Sequence, residues 1–261
     1  MLTPENVVVV ALLGCLVLPW LLSFLMAPIR MRLRSWQSAD PVYSPDDERR
    51  LPLAARRAAA DLRALGFEDR GTWRHHGAAL ATGRIILLEH PRTHDLVKVM
   101  VVTVHSRMSI TISLQTRFAD ETEVWTFNSR NVGGFPPLPG VTTAWLPELR
   151  DAGQLHYVHA QLADALGGTR KRREIEEDPA TFLRDVSTRS LANWVRTGYY
   201  ALDAARGLVR PTWKGATLIA WRWRLHWPVK PLYQARRRRA TRELLDRLGI
   251  ALEPVIAREA R

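Results

Sequence analysis

The chain has 261 residues, 46% of them hydrophobic and 25% charged, and its formal net charge is +12. This length allows one moderate domain with an appendage and disfavours a second full domain. The single cysteine excludes an intramolecular disulfide and a cysteine-ligated metal cluster, which fits a reducing compartment.

Residues 7–27 form an apolar run without a charged side chain, and Arg30, Arg32 and Arg34 follow it directly. A helix of about 20 apolar residues matches the hydrocarbon core of a bilayer, so the run predicts a transmembrane anchor over residues 1–34. A cleaved signal peptide would carry basic residues before the run, and this chain has none there. The positive-inside rule then places the N-terminus outside and the rest of the chain in the cytoplasm.

The stretch after the basic residues is polar. Residues 35–47 contain Pro41 and Pro45, which predicts a linker. Residues 48–168 then predict a cytoplasmic α+β domain, because a strand-rich region lies between two helical ones.

Two predicted helices, Arg49–Leu65 and Leu146–Leu166, flank a region in which the hydrophobic period changes to two. The predicted strands are Arg84–His90, Asp95–His105, Met108–Gln115 and Glu123–Asn128, with Thr72–Ala79 as a further edge strand. Their short connections predict an antiparallel meander. The proline-dense stretch 131–147 predicts a loop, since proline donates no ladder hydrogen bond.

Residues 169–261 predict a basic helical appendage. The pattern places helices over Phe182–Arg206, after Pro211–Thr212 and over Leu232–Leu248. Residues 206–261 contain 14 Lys or Arg and 4 Asp or Glu, which gives +10 of the net +12. The basic surface is therefore concentrated at one end of the sequence. The abundance of Arg and Ala is typical of a GC-rich bacterial genome.

Four of the ten tryptophans fall within residues 213–227. Tryptophan favours the headgroup level of a bilayer, and a neighbouring arginine reaches lipid phosphate, so this segment predicts an interfacial helix. The predicted membrane contacts are Trp213, Trp221, Arg222, Trp223, Arg224, Trp227, Arg236, Arg237, Arg238 and Arg239. The alternatives are tryptophans packed in the core and arginines on a solvated face. A third alternative, nucleic-acid binding, lacks a helix-turn-helix or an RNA-binding signature.

Polar residues around the last predicted hairpin form the one candidate site for a ligand or a partner. They are Arg117, Asp120, Asn128 and Arg130, together with Phe135 in the adjoining loop. Polar groups at the mouth of a sheet beside a long loop can bind a ligand. The alternative is ordinary turn chemistry, in which Asp120 only shapes the turn.

Sequence motifs for catalysis are missing. The chain has no Gly-x-Ser-x-Gly elbow and no phosphate-binding Gly-rich loop with Lys. His156 and His159 lie three residues apart on a predicted helix, but a metal site needs a third ligand from elsewhere. No catalytic residue, metal or cofactor is predicted.

The sequence therefore favours an α+β single-pass protein of the bacterial inner membrane. Its favoured function is a non-catalytic, membrane-associated binding or scaffolding module. Its predicted partners are the anionic inner leaflet and another membrane-associated protein. A membrane-anchored enzyme with a His-based site is the first alternative, and nucleic-acid binding through the basic C-terminal end is the second.

Overall fold

A nine-stranded sheet with helices on both faces forms the α+β fold of the described residues. The computed structural model describes residues 22, 26–33, 35–78, 81–104, 107–129, 135–136, 138–220 and 229–252. The strands are β1 (Gln37–Pro45), β2 (Glu68–Ala78), β3 (Ala81–Glu89), β4 (Leu96–Val104), β5 (Arg107–Arg117), β6 (Glu123–Phe127), β7 (Val141–Trp145), β8 (Tyr200–Asp203) and β9 (Leu208–Pro211). The helices are α1 (26–33 within the described residues), α2 (Leu53–Ala64), α3 (Ala152–Gly167), α4 (Pro179–Arg196), α5 (Trp213–Ile219) and α6 (Val229–Arg247), and a 3-10 turn covers Glu48–Arg50.

The strands lie in the order β7-β6-β5-β4-β3-β2-β1-β9-β8. Neighbours are antiparallel except β6 and β7, which are parallel. The predicted meander is confirmed, because β2 to β6 pair in sequence order. Helix α2 lies within its predicted stretch, while α3 ends one residue beyond the predicted Leu146–Leu166 and α6 begins three residues before the predicted Leu232–Leu248.

Alternating side chains give the sheet two apolar faces. On one face, Ile86, Val99 and Leu114 are buried against α2 and α3, and we call it the α3 face. On the other, Leu87 and Leu96 pack with residues of α4 such as Phe182, and we call it the α4 face. The core therefore consists of two layers, one on each side of the sheet.

Strand direction defines the two ends of the sheet. Strand β1 begins directly after α1, and its first residue Gln37 pairs with Ala78 at the end of β2 and with Val209 of β9. The close of the β4–β5 hairpin, where Val104 pairs with Arg107, lies at this same end. We call it the α1 end; helix α5 begins there too, directly after β9.

The predicted linker over residues 35–47 is wrong in its secondary structure, because strand β1 occupies most of it. The register of β1 against β2 shifts between Gln37 and Val42, which leaves Pro41 in an irregular stretch. Pro45 is the last residue of the strand. Prolines are tolerated at bulges and strand ends, so neither of them stops the pairing.

Two further predictions of secondary structure are wrong. Residues 141–145, assigned to a loop, form β7, whose run of β-branched residues pairs in parallel with β6. The helix predicted over Phe182–Arg206 ends at Arg196, and β8 and β9 follow as a hairpin that extends the sheet beside β1. The appendage is therefore not wholly helical.

The predicted membrane span lies almost wholly outside the described residues. Within them, helices fall short of the length and apolar character that crossing a bilayer requires. Ala27 and Met31 of α1 are buried against Leu191 of α4, Val209 of β9 and Ile219 of α5. Helix α1 is thus packed into the fold beside α5.

Candidate functional site

The predicted ligand-site residues do not form one site. Arg117 and Asp120 lie at the end of the sheet opposite the α1 end, whereas Asn128 follows β6 beside Ile112, about halfway along β5. Phe135 packs against aromatic residues that include Trp194 of α4 and Tyr200 of β8. Arg130 lies outside the described residues.

Asp120 and Asn128 have contacts that explain them structurally. Asp120 accepts hydrogen bonds from the backbone and hydroxyl of Thr122, and these bonds lower the pKa of its carboxyl. Its other oxygen lies 3.0 Å from Arg170. The Asn128 side chain accepts from the backbone N–H of Ile112 and donates to the carbonyl of Leu149, so it joins β5 to the segment before α3.

Arg117 belongs to a cluster of polar side chains on the α4 face, and Glu123 is at its centre. The Glu123 cluster consists of Lys98, Gln115, Arg117, Glu123, Trp125 and Arg189. Strand register explains four of them, because Gln115 pairs with Trp125 and Arg117 with Glu123 on neighbouring strands. Lys98 comes from β4, the other neighbour of β5. Helix α4 contributes Arg189 from above the sheet.

The buried Glu123 carboxylate is hydrogen-bonded through one oxygen and ion-paired through the other, which has no hydrogen bond among the described residues. Its Oε2 accepts from Gln115 Nε2 at 2.8 Å and from Trp125 Nε1 at 2.6 Å. Its Oε1 lies 2.8 Å from Arg189 Nη1 and 3.3 Å from Arg117 Nε. Such pairing offsets part of the cost of burying a carboxylate.

Lys98 is the second buried charge of the cluster. Its Nζ donates to Gln115 Oε1 at 2.9 Å and lies 4.8 Å from the ring centroid of Trp125. Burial lowers the pKa of Lys98 to about 8, against the opposing effect of Glu123. The ammonium form therefore predominates at neutral pH, and the cluster carries more positive than negative charge.

A second polar network lies on the α3 face around His159, which is fully buried. Thr116 donates its hydroxyl hydrogen to Asp95, so His159 Nε2 must donate to Thr116 Oγ1 at 2.9 Å. His159 Nδ1 then accepts from Thr126 Oγ1 at 2.9 Å. Burial lowers the pKa of His159 to about 4, so its imidazole is neutral at pH 7.

His159 and His156, considered in the sequence as two possible ligands of an unpredicted metal site, face different surroundings. His156 faces Phe67 and His90, and burial lowers its pKa. In the described part of the chain, no three His, Cys, Asp or Glu side chains are placed to share a metal ion. The closed surroundings of His159 suit a structural role.

One cleft of about 280 Å³ opens between the start of β6 and β7 and the end of α3. Its polar lining includes Arg170, whose donors are engaged by Asp120, Thr122 and the backbone carbonyl of Gly167. The cleft therefore offers a ligand few free polar groups.

Trp213, the described tryptophan of the predicted interfacial segment, is exposed at the start of α5. The guanidinium of Arg32 in α1 lies over its ring, 4.6 Å from the centroid. Trp221, Arg222, Trp223, Arg224 and Trp227 lie outside the described residues. The end of the predicted span and the start of the predicted interfacial segment are therefore neighbours in space.

The four consecutive arginines of α6 have different surroundings. Arg237 donates to Thr143 Oγ1 of β7, and Arg238 lies over the ring of Trp145. Arg239 pairs with Glu243 on the same helix, while Arg236 is exposed. Contact of these side chains with lipid stays a prediction.

The Glu123 cluster was not identified from the sequence, although Lys98 gave a signal. A lysine interrupts the Val-rich run of β4, which alternation otherwise assigns to the core. Arg189 does not stand out from its sequence neighbours, because it belongs to a helix with several other charged residues. It joins the cluster only through the tertiary fold. Comparison with family models, curated proteins and solved structures finds no significant match to this chain.

Proposed function

We propose that this protein is a non-catalytic binding or scaffolding module held at the bacterial inner membrane, with the α1 end of the sheet facing the bilayer. The observation that carries the proposal is the contact of Arg32 with Trp213. It joins the segment that follows the apolar run to the segment rich in tryptophan. Two stretches with independent membrane signals in the sequence thus meet at one end of the fold.

The exposed side chains at the α1 end suit a lipid surface. The exposed apolar ones are Leu33, Trp36, Val102, Met108 and Trp213. The exposed basic ones are Arg30, Arg32, Arg107 and Lys214. Apolar and aromatic groups bordered by cations are typical of an interface with anionic lipid, where each basic residue contributes about 1 kcal/mol.

The arginines of α6 have a smaller part in this proposal. Arg237 donates to Thr143 of strand β7, and Arg238 lies over the ring of Trp145, although Arg238 is exposed like Arg236 and Arg239. The membrane contact rests on α1, α5 and the neighbouring hairpin end.

Alkaline carbonate extraction of bacterial membranes that contain the full chain tests the anchor. We expect the protein to stay in the membrane pellet. Replacing Leu12 and Leu16 together by Arg should release it, because a central Arg costs about 2.5 to 3.5 kcal/mol in membrane insertion. Leu12→Ile with Leu16→Ile is the matched control. Release of the unaltered chain by carbonate would contradict the proposal.

Sidedness is tested in a Cys15→Ser background that carries Arg92→Cys at the end of the sheet opposite α1. A membrane-impermeant maleimide should label this cysteine only after the inner membrane is opened. Labelling in intact spheroplasts would place the domain outside the cytoplasm and contradict the proposed orientation.

A further inference from the structure

The guanidinium of Arg189 has two donors without an acceptor. Its Nη1 lies 2.8 Å from Glu123 Oε1. Its Nε and Nη2 are buried and have no hydrogen-bond partner among the described residues. Leaving such donors unpaired is costly. Glu123 Oε1 and Glu177 Oε2 in the same cluster also lack a hydrogen bond among the described residues, so the polar groups around Arg189 are incompletely paired and its two-donor edge is open to a further acceptor.

The two free donors are the pair that shares one side edge of the guanidinium. Other arginines of this protein use the same pair to hold an oxyanion. Arg63 donates from Nε and Nη2 to the two oxygens of Asp69, and Arg184 does the same with Asp40. The free edge of Arg189 is therefore matched to two oxygens of one anionic group.

The surroundings of Arg189 are positive. Lys98, Arg117 and Arg189 face the Glu123 carboxylate, and Glu177 Oε2 lies 3.9 Å from Arg117. Beyond Trp125, a further cation is present. Arg237 of α6 donates to Thr143, the register partner of Trp125 on β7. Lys98, Arg117 and Arg189 against two carboxylates leave an excess of positive charge that favours an anion.

The site is close to the surface. The Arg189 side chain is 38% exposed although its free donors are covered, and that of Glu177 is 33% exposed. Within the cluster, Arg117 lies far from the α1 end, because it is ten residues along β5 from Arg107, or about 33 Å at the usual rise of a strand. A lipid headgroup in a bilayer at the α1 end does not reach Arg117.

We propose that Arg189, with Lys98 and Arg117, binds the phosphate group of a soluble phosphorylated small molecule on the α4 face. The phosphate accepts from Nε and Nη2 of Arg189. Trp125, which is half-buried beside it, offers an aromatic surface to the rest of the ligand. This inference does not depend on the membrane proposal, since no residue of the α1 end takes part in it.

Calorimetric titration of inorganic phosphate into the full chain in detergent micelles tests the inference, with sodium chloride at matched ionic strength as the reference. We expect saturable binding of phosphate. Arg189→Gln should weaken it by about tenfold or more, because it removes charge-assisted hydrogen bonds. Arg189→Lys keeps the charge but lacks the two-donor edge, so it should also weaken binding.

Arg184→Gln is the matched control, because Arg184 lies on the same helix and its two-donor edge is occupied by Asp40. It should leave phosphate binding unchanged. Vesicles of phosphatidylglycerol should not displace the phosphate, and displacement would assign the site to a lipid headgroup and overturn the inference. Absence of saturable binding, or equal binding by Arg189→Lys and the unaltered chain, would also overturn it. If Arg189→Gln fails to fold, Arg189→Lys, which keeps the charge beside Glu123, tests the inference in its place.

Discussion

Arg32 and Trp213, separated by 181 positions in the chain, are in direct contact, with the Arg32 guanidinium 4.6 Å from the centroid of the indole ring. One residue belongs to helix α1, which continues from the apolar N-terminal run. The other opens helix α5, which leads into the tryptophan-rich segment. This contact is the structural basis for placing both segments at one membrane surface.

Replacing Arg32 by Gln should loosen α5. An exposed cation–π contact contributes about 0.5 to 1 kcal/mol, so amide exchange in residues 213–219 should become about two- to fivefold faster. Hydrogen exchange followed by mass spectrometry measures this rate. Arg30→Gln, on the same helix and also exposed, is the control and should leave it unchanged. Equal exchange rates in both variants would mean that the contact does not stabilise α5.

Gly215→Ala should destabilise the packing of α5 on the sheet. An added Cβ at this position would lie 1.9 Å from the backbone oxygen of Tyr199, which also accepts from the N–H of Thr212. Because a backbone atom cannot move aside cheaply, we expect a loss of about 1 to 3 kcal/mol in the free energy of unfolding. Chemical denaturation in detergent measures it, and Thr217→Ala on the same helix is the control. Unchanged or higher stability would contradict the close approach of α5.

The free energy of unfolding should decrease as the pH is lowered from 6.5 to 4, because His159 is buried in its neutral form. The folded pKa of His159, about 4, lies below the ordinary histidine pKa of 6.5, so the unfolded chain binds more protons in this range. The contribution of neutral His159 to the free energy of unfolding is fully present above pH 6.5 and is lost as the pH falls towards 4. The loss is about 3 kcal/mol at most.

His159→Gln keeps a donor for Thr116 and an acceptor for Thr126 but does not titrate. Denaturation curves at several pH values should therefore show a shallower pH slope for this variant. His76→Gln, an exposed histidine bonded to Ser44, is the control. If the His159→Gln slope equals that of the unaltered chain, His159 is not the neutral buried group described.

Thr241→Val should weaken the contact between α6 and the edge of the sheet. The Thr241 hydroxyl accepts from the backbone N–H of Trp145 on β7 at 3.0 Å. Valine has nearly the same shape but leaves this buried donor unpaired, which costs about 1 to 3 kcal/mol. The free energy of unfolding measures the loss, and Arg236→Ala, exposed on the same helix, should be neutral. A neutral Thr241→Val would mean that α6 does not protect this edge.

How far the sequence predicts the fold depends on the kind of element. The alternation around Leu114 and the helical spacing around Leu155 place β5 and α3 correctly, because both elements are long and half-buried. Strands β8 and β9 have only four residues each, too few to show a period. They form because they extend a sheet already present, which is a tertiary effect.

The candidate sites show the same limit. Arg117 is predicted as a site residue, but Arg189, which pairs with the same Glu123 carboxylate, lies 72 positions away on α4. The approach of Arg32 to Trp213 is likewise a product of the fold. Sequence patterns indicate which residues are unusual, while the pairing of distant charges follows only from the packing of α4 and α1 on the sheet.

The most direct test of the account is the bilayer depth of residue 214 in the full chain. A Cys15→Ser chain with Lys214→Cys, carrying an environment-sensitive fluorophore, is reconstituted in vesicles that contain brominated lipids. We predict a blue-shifted emission that these lipids quench, and no quenching for the same fluorophore at Arg92→Cys. Equal and water-like emission at both positions would contradict a membrane-facing α1 end.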